Sequence, residues 1–202
     1  GAETLKALNK NKFKRIILLA PKSVHHQHIE RWEKNGVSTK RMETISLKSS
    51  NMMDKLENPK KTDTDQPLFA TGGGFSGSLE NSFLIVDEAH NLFNSIVNGS
   101  KNGVDFYDLI MNTKRIKILF MTGSPITNSP FDLVPCFNML SGKPLFSESK
   151  ERFAETFIDR TTGRFKNIDV FKRRVYGLTS YFGDWVLSME RSEMPKELPA
   201  QI

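Results

Sequence analysis

Three runs of consecutive apolar residues stand out from a mostly polar chain: Ile16-Ile17-Leu18-Leu19-Ala20, Phe83-Leu84-Ile85-Val86 and Ile118-Leu119-Phe120-Met121. Each is short, continuous and bounded by charged or turn residues, the pattern of a strand buried on both faces. They predict strands over Arg15–Ala20, Phe83–Val86 and Lys117–Met121, and Glu43–Leu47 suits a shorter one. Elsewhere the spacing is helical. It predicts the end of a helix at Thr4–Leu8, a helix over Lys22–Asn35 closed by Gly36, one from His90 through Val97, and one over Asp105–Met111. Ser129 reads as an N-cap, with Pro130 at the first helical position and Asp132 in the first turn. The stripe Phe131, Val134, Phe137 and Leu140 follows and Ser141-Gly142 ends it, while Pro135 is expected to kink this helix. Two more helices are predicted over Lys150–Ile158 and Ile168–Tyr176, then a turn at Gly177 and a strand over Leu178–Phe182.

Strands alternating with helices predict an α/β fold with a mainly parallel sheet and helices on both faces. The polar stretch Ser49–Gln66 reads as a loop or insertion, and Asn98-Gly99-Ser100 and Asn102-Gly103 as turns. Gly72-Gly73-Gly74-Phe75-Ser76-Gly77 matches the spacing G-x-G-x-x-G, but a strand rather than a helix follows, so it reads as a flexible loop. Met194-Pro195-Lys196-Glu197-Leu198-Pro199 is proline-spaced and extended. The expected organisation is one lobe over residues 1–187 and a linker over 188–202.

Composition narrows this picture. A chain of 202 residues fits one domain with at most a small appendage, and no stretch approaches the roughly 18 apolar residues of a membrane span. The net charge of +6 favours a polyanionic partner, nucleic acid first. A single cysteine, Cys136, excludes an internal disulfide and a cysteine-rich zinc site; in its apolar helical context it reads as a packed thiol in a reducing compartment. His25, His26 and His28 do not make a metal site, because adjacent histidines point to different sides of a helix and no ligand set accompanies them. They read as solvated or phosphate-facing. Trp32, at the far end of their helix, reads as core.

The candidate chemistry sits where strands end. Asp87 and Glu88 follow the second apolar run directly, and open α/β sheets build ligand sites from the carboxyl tips of their strands. Nucleotide hydrolysis needs one group to hold magnesium and another to orient water, and adjacent carboxylates can divide those tasks. The next apolar run ends in Thr122-Gly123-Ser124-Pro125-Ile126-Thr127-Asn128. The separation, some thirty residues, is that of one strand–helix–strand crossover, so the two tips should be close and the hydroxyls within reach of the acids or His90.

Asp87-Glu88-Ala89-His90 resembles the magnesium and water motif of superfamily two DEAH-type helicases and ATPases. Thr122–Asn128 resembles the third helicase motif in the form typical of Swi/Snf-type translocases and of viral ATPases similar to poxvirus nucleoside triphosphate phosphohydrolase and early transcription factor. Arg173-Arg174-Val175-Tyr176-Gly177-Leu178-Thr179-Ser180-Tyr181-Phe182 is similar to a basic, then Ser-Tyr, segment of the viral branch. Ile17-Leu18-Leu19-Ala20-Pro21-Lys22-Ser23 is similar to motif Ia, whose backbone, Lys and Ser touch nucleic-acid phosphates. The resemblance covers most of residues 4–185. It implies a RecA-like three-layer sandwich of P-loop NTPase type, the first lobe of a nucleic-acid-dependent ATPase or helicase acting on DNA or RNA. ATP and Mg2+ would be its cofactors, viral transcription machinery its partners, and the cytoplasm or virion its location. In the resemblance Glu88 and Asp87 are catalytic, Asp87 holding Mg2+ through water, and His90 couples the ATP site to Thr122, Gly123, Ser124 and Asn128. Pro21, Lys22 and Ser23 contact nucleic acid.

The phosphate-cradling sequence G-x-x-x-x-G-K-[ST] does not occur in the chain, nor does a second lobe with its arginine finger. In the family the loop stands just before the first helix, at or above residue 1. The expectation is that hydrolysis belongs to a longer parent and that these 202 residues alone turn over little ATP. The competing reading is a non-catalytic RecA-like scaffold or nucleic-acid-binding module. A metal-dependent phosphate-ester hydrolase would explain the two acids but not Thr122–Asn128.

Overall fold

The computed structural model describes residues 13–40, 42–58 and 79–180. The helix end at Thr4–Leu8, the glycine-rich run Gly72–Gly77, the extended Met194–Pro199 segment and the lobe boundary after residue 187 lie outside the described residues. The chain divides into two compact units, Gly1–Cys136 and Phe137–Ile202.

The first unit holds a sheet of strands β1 (Arg15–Ala20), β2 (Met42–Ser46), β3 (Ser82–Asp87) and β4 (Lys117–Met121), all parallel, in the order β2-β1-β3-β4. The three strands anticipated from the apolar runs and the shorter one expected over Glu43–Leu47 are all present, within a residue of the expected bounds. Ile17 and Leu18 are adjacent in β1, point to opposite faces, and are both fully buried, so β1 is covered on both sides. On one face Ile16, Leu18, Ala20, Phe83 and Ile85 pack with Trp32 of helix α1 (His25–Lys34) and with Val37. On the other, Phe120, paired in register with Val86, meets Phe93 of helix α3 (Ala89–Val97) edge-on at 5.0 Å between ring centroids. Helices on opposite faces of a parallel sheet make the expected three-layer α/β arrangement, and Trp32 is core as its sequence context indicated.

The first turn predicted at Lys22 is a 3-10 turn, Lys22–Val24, leading into α1, which ends at a Gly36 with φ 74°. Three local expectations are corrected. The stretch Ser49–Gln66 is not wholly loop: Met52–Glu57 is a short helix, α2, because Met52 and Leu56, one helical turn apart, are both buried. Asn102-Gly103 is not a turn but lies in helix α4 (Lys101–Asn112), capped by Ser100, whose Oγ accepts the Gly103 N–H at 3.2 Å. The glycine serves a close approach instead: a Cβ at Gly103 would stand 2.7 Å from the carbonyl carbon of Ser95 in α3. Pro135 does not interrupt a helix. The chain runs as a 3-10 turn over Pro130–Asp132, with the expected N-cap Ser129 joined to Asp132 in a capping box, and then as helix α5 (Leu133–Ser141). Pro135 therefore falls in the first α-helical turn, where its missing N–H costs little.

In the second unit, helices α6 (Lys150–Phe157) and α7 (Ile168–Val175) gather Phe146, Phe153, Phe157, Phe165 and Phe171 into one aromatic cluster. The Arg174 guanidinium lies 5.6 Å from the ring centroids of both Phe146 and Phe157. Gly177 ends α7 with φ 78°, as its position after the helix implied. The strand expected over Leu178–Phe182 is absent from its described part, residues 178–180, and the rest lies outside. Among the described residues no helix is long and apolar enough to cross a membrane.

Candidate active site

β1 leads to β2 on one side of the sheet, while β3 leads through α3 and α4 to β4 on the other. Their carboxyl ends therefore flank a topological switch point, the crevice where open α/β sheets bind ligands. Leu19 of β1 is in register with Val86 of β3, so Ala20-Pro21 and Asp87-Glu88 leave the sheet side by side.

The two acids part company at this edge because of one backbone conformation. Glu88 has φ 51° and ψ 44°, the left-handed region that a residue with a Cβ occupies at a cost of about 1–2 kcal/mol. Such strain persists where the surroundings over-determine it, and it concentrates at functional positions. Asp87 still belongs to β3, and its Oδ2 lies 2.7 Å from Nε2 of His28 on α1. Glu88 precedes α3 instead, and its Oε2 lies 3.2 Å from Nδ1 of His90. The carboxylates thus serve opposite faces of the sheet, which suits two different tasks. Glu88 is exposed and Asp87 half-buried.

His90 Nδ1 is also 2.9 Å from Oγ1 of Thr122, just beyond β4. His90 Nδ1 thus sits between the Glu88 carboxylate and the Thr122 hydroxyl. Thr122 Oγ1 in turn accepts the Ser124 backbone N–H at 3.2 Å. A continuous path therefore runs from the Glu88 carboxylate through the imidazole to the first residues after β4. The sequence placed a hydroxyl within reach of His90, and Thr122 is that residue.

The rest of the Thr122–Asn128 segment does not join the acids. Ser124 contributes its backbone, and Gly123 has neither a positive φ nor any atom within 4 Å of where a Cβ would stand. Asn128 Nδ2 and Thr127 Oγ1 both donate to Oδ1 of Asn94 on α3, at 3.0 and 2.7 Å. Asp132, nearly fully buried, holds the segment from below. Its Oδ2 accepts the backbone N–H groups of Thr127, Asn128 and Ser129 at 3.0, 2.8 and 3.2 Å. Pro21 is half-buried, whereas Lys22 and Ser23 are exposed in the turn that opens α1. His25 fastens this turn by donating from Nε2 to the Ala20 carbonyl at 2.9 Å.

Sequence reasoning gave no site role to His28 or Asn94 and read Asp132 only as a first-turn residue. The reading of His28 as solvated or phosphate-facing is corrected. It lies one helical turn before the core Trp32, its ring 5.4 Å from the indole, and so on the inward side of α1. That i, i+4 relation to a core tryptophan was the available signal. Asn94 had a weaker one, standing one turn after His90 on the same helix.

Among the described residues no group of three or more His, Cys, Asp or Glu side chains could cage a metal ion. That does not conflict with magnesium, which keeps most of its waters and is held by one or two carboxylates together with nucleotide phosphates. A single half-buried carboxylate at a strand tip, Asp87, fits that requirement.

No protein-family model matches the chain. Curated viral proteins do. The chain is 36% identical over 192 residues to a termination factor NPH-I homolog of African swine fever virus, a match covering 94% of this chain and 23% of the relative. It is 32% identical over 122 residues to the candidate helicase 087L of invertebrate iridescent virus 3, covering 60% of this chain and 11% of the relative. It is 33% identical over 121 residues to the early transcription factor 70 kDa subunit of vaccinia virus, covering 59% and 16%. The chain thus spans less than a quarter of the length of these relatives. The chain is thus similar to the NPH-I, helicase and early transcription factor proteins of large DNA viruses, and its parallel α/β sheet is consistent with a helicase-type lobe.

Proposed function

We propose that the chain is the ATP-binding lobe of a nucleic-acid-dependent ATPase of helicase type, whose longer parent couples hydrolysis to movement along DNA or RNA during viral transcription. The observation that carries this reading is the left-handed Glu88. It turns one acid toward His90 and Thr122 while Asp87 stays at the strand tip, at the switch point of a parallel sheet. Asp87 would hold Mg2+ through water. The metal, when bound with ATP, supplies charge neutralisation at the β- and γ-phosphates. Glu88, exposed toward the crevice, orients or deprotonates the attacking water. His90 holds Glu88 and reports its position to Thr122, and the segment through Ser124 and Asn128 passes that state onward.

Lys22 and Ser23 stand exposed in the turn after β1, where an ammonium and a hydroxyl suit a phosphate backbone. The surplus of basic residues supports the same partner. The names of the relatives, a termination factor homolog and an early transcription factor subunit, support a role in transcription, and a cytoplasmic or virion setting is part of the same proposal.

The test is ATP hydrolysis by the full-length parent, with and without DNA or RNA, compared with Glu88→Gln. The expected result is nucleic-acid-stimulated turnover that falls at least about a hundredfold in the variant, the usual scale for losing a general base. Equal activity in the two proteins would refute the catalytic assignment. No turnover in either would leave a scaffold or nucleic-acid-binding module as the better reading.

A further inference from the structure

His28 of α1 reaches the acid motif. Its Nε2 lies 2.7 Å from Oδ2 of Asp87, and both side chains are about one-fifth exposed. A carboxylate only accepts, so Nε2 carries the proton and donates. The ring is backed by Trp32 at 5.4 Å, and Trp32 is locked in the core against β1 and β3. His28 is therefore held on its far side by packing and on its near side by a hydrogen bond. Among the described residues His28 is the partner of the Asp87 side chain, and this bond orients it. Three residues earlier on the same helix, His25 ties the opening turn to the Ala20 carbonyl. Helix α1 thus begins at the exposed Lys22-Ser23 turn, is fastened to the tip of β1, and ends its inward reach on the tip of β3.

Resting on the function proposed above, we propose that His28 is a positioning residue that orients Asp87 for its metal and makes α1 the mechanical link between the Lys22-Ser23 turn and that carboxylate. A hydrogen-bond partner outside the metal's own ligands sets the orientation of the ligand it touches, and its removal weakens metal affinity by about 10–100-fold. Because Asp87 acts through water, the lower end of that range applies. Spatial intermediacy alone does not establish a coupling path, so the link must be measured as a change in one site's affinity caused by the other.

The experiment uses the full-length parent and Mn2+ as a spectroscopic stand-in for Mg2+. Free Mn2+ is titrated by electron paramagnetic resonance in the presence of ADP, with and without a short oligonucleotide. The proteins are wild type, His28→Ala, His28→Gln and Asp87→Ala. The expected result is about tenfold weaker Mn2+ binding in His28→Ala, with most of the affinity restored in His28→Gln, whose amide can donate from a similar reach. The oligonucleotide-induced shift in Mn2+ affinity should be present in wild type, lost in His28→Ala, and regained in His28→Gln. Unchanged Mn2+ affinity, or an unchanged shift, in His28→Ala overturns the inference while Asp87→Ala still abolishes binding. A glutamine variant no better than the alanine one also overturns it, since packing on Trp32 would then be the whole effect. Retention of Mn2+ binding by Asp87→Ala is a separate result, which overturns the metal role of Asp87 and with it the function it supports.

Discussion

Replacing Gly103 with alanine sets two well-calibrated effects against each other. Helix propensity favours the change, by less than the helix-interior figure of about 1 kcal/mol because Gly103 stands in the first turn. Packing opposes it. The new Cβ would meet the carbonyl carbon of Ser95 at 2.7 Å, and the Ile96 nitrogen and Ser95 oxygen at 2.8 Å. Carbon atoms reach optimal contact at about 3.5–4.0 Å, so the overlap approaches about 1 Å. All three obstacles are backbone atoms of α3, and no rotamer change relieves them. Helices α3 and α4 must separate, and overpacking of this kind costs about 1–3 kcal/mol, here at the upper end. The net expectation is a loss of about 2 kcal/mol, or about 4–8 °C in Tm for a chain of this size. Urea titration followed by circular dichroism measures it as a lowered midpoint at unchanged slope. Gly123→Ala is the control, because its Cβ meets nothing within 4 Å and its φ is not positive, so its stability should stay within about 0.5 kcal/mol of wild type. Gly103→Ala as stable as wild type, or more so, would refute the reasoning. The consequence reaches the site, since α3 carries His90 and Asn94. A helix displaced by α4 would loosen His90 from Thr122.

Asp132→Ala removes the acceptor of three backbone N–H groups. At about 1–3 kcal/mol for each unsatisfied donor, moderated because Thr127 and Asn128 can reach water, the expected loss is about 3 kcal/mol by the same urea titration, and a variant within about 0.5 kcal/mol of wild type would contradict the role given to this residue. The Cys136 thiol, pushed up to about 12 by burial, should resist a thiol-specific colorimetric reagent at pH 8 in the native protein and react promptly in urea, whereas rapid native labelling would contradict its packing. The folded state keeps a proton that the unfolded thiol gives up from its ordinary value of 9.0, so this contribution to stability is complete below pH 9 and is lost as the pH rises toward about 12, which a series of alkaline melts would register.

Much of the molecule was legible from local pattern, because buried parallel strands leave an unambiguous trace. Ile16–Ala20, Phe83–Val86 and Ile118–Met121 could be nothing else at that length, and the residues that follow them were bound to gather at one edge of the sheet. Asp87, Glu88, His90 and Thr122 were therefore identifiable as neighbours before any coordinates. Features that depend on what lies across a gap were not. Asn102-Gly103 reads locally as a turn, and only the proximity of α3 makes its glycine a helix–helix contact. Met52 and Leu56 form a helix because the fold offers them a buried place, which a polar stretch does not advertise.

The sequence by itself determined the fold class, the strand tips and the residue types available there, since hydrophobic periodicity and motif spacing act within a few tens of residues. Tertiary structure alone decided the partners: His28 with Asp87 across 59 positions of sequence, Asp132 beneath the Thr127–Ser129 backbone, and the left-handed turn at Glu88 that sends two adjacent acids to opposite faces. A hydrogen bond is set by distances of a few tenths of an ångström, and those distances exist only once the sheet has brought remote segments together.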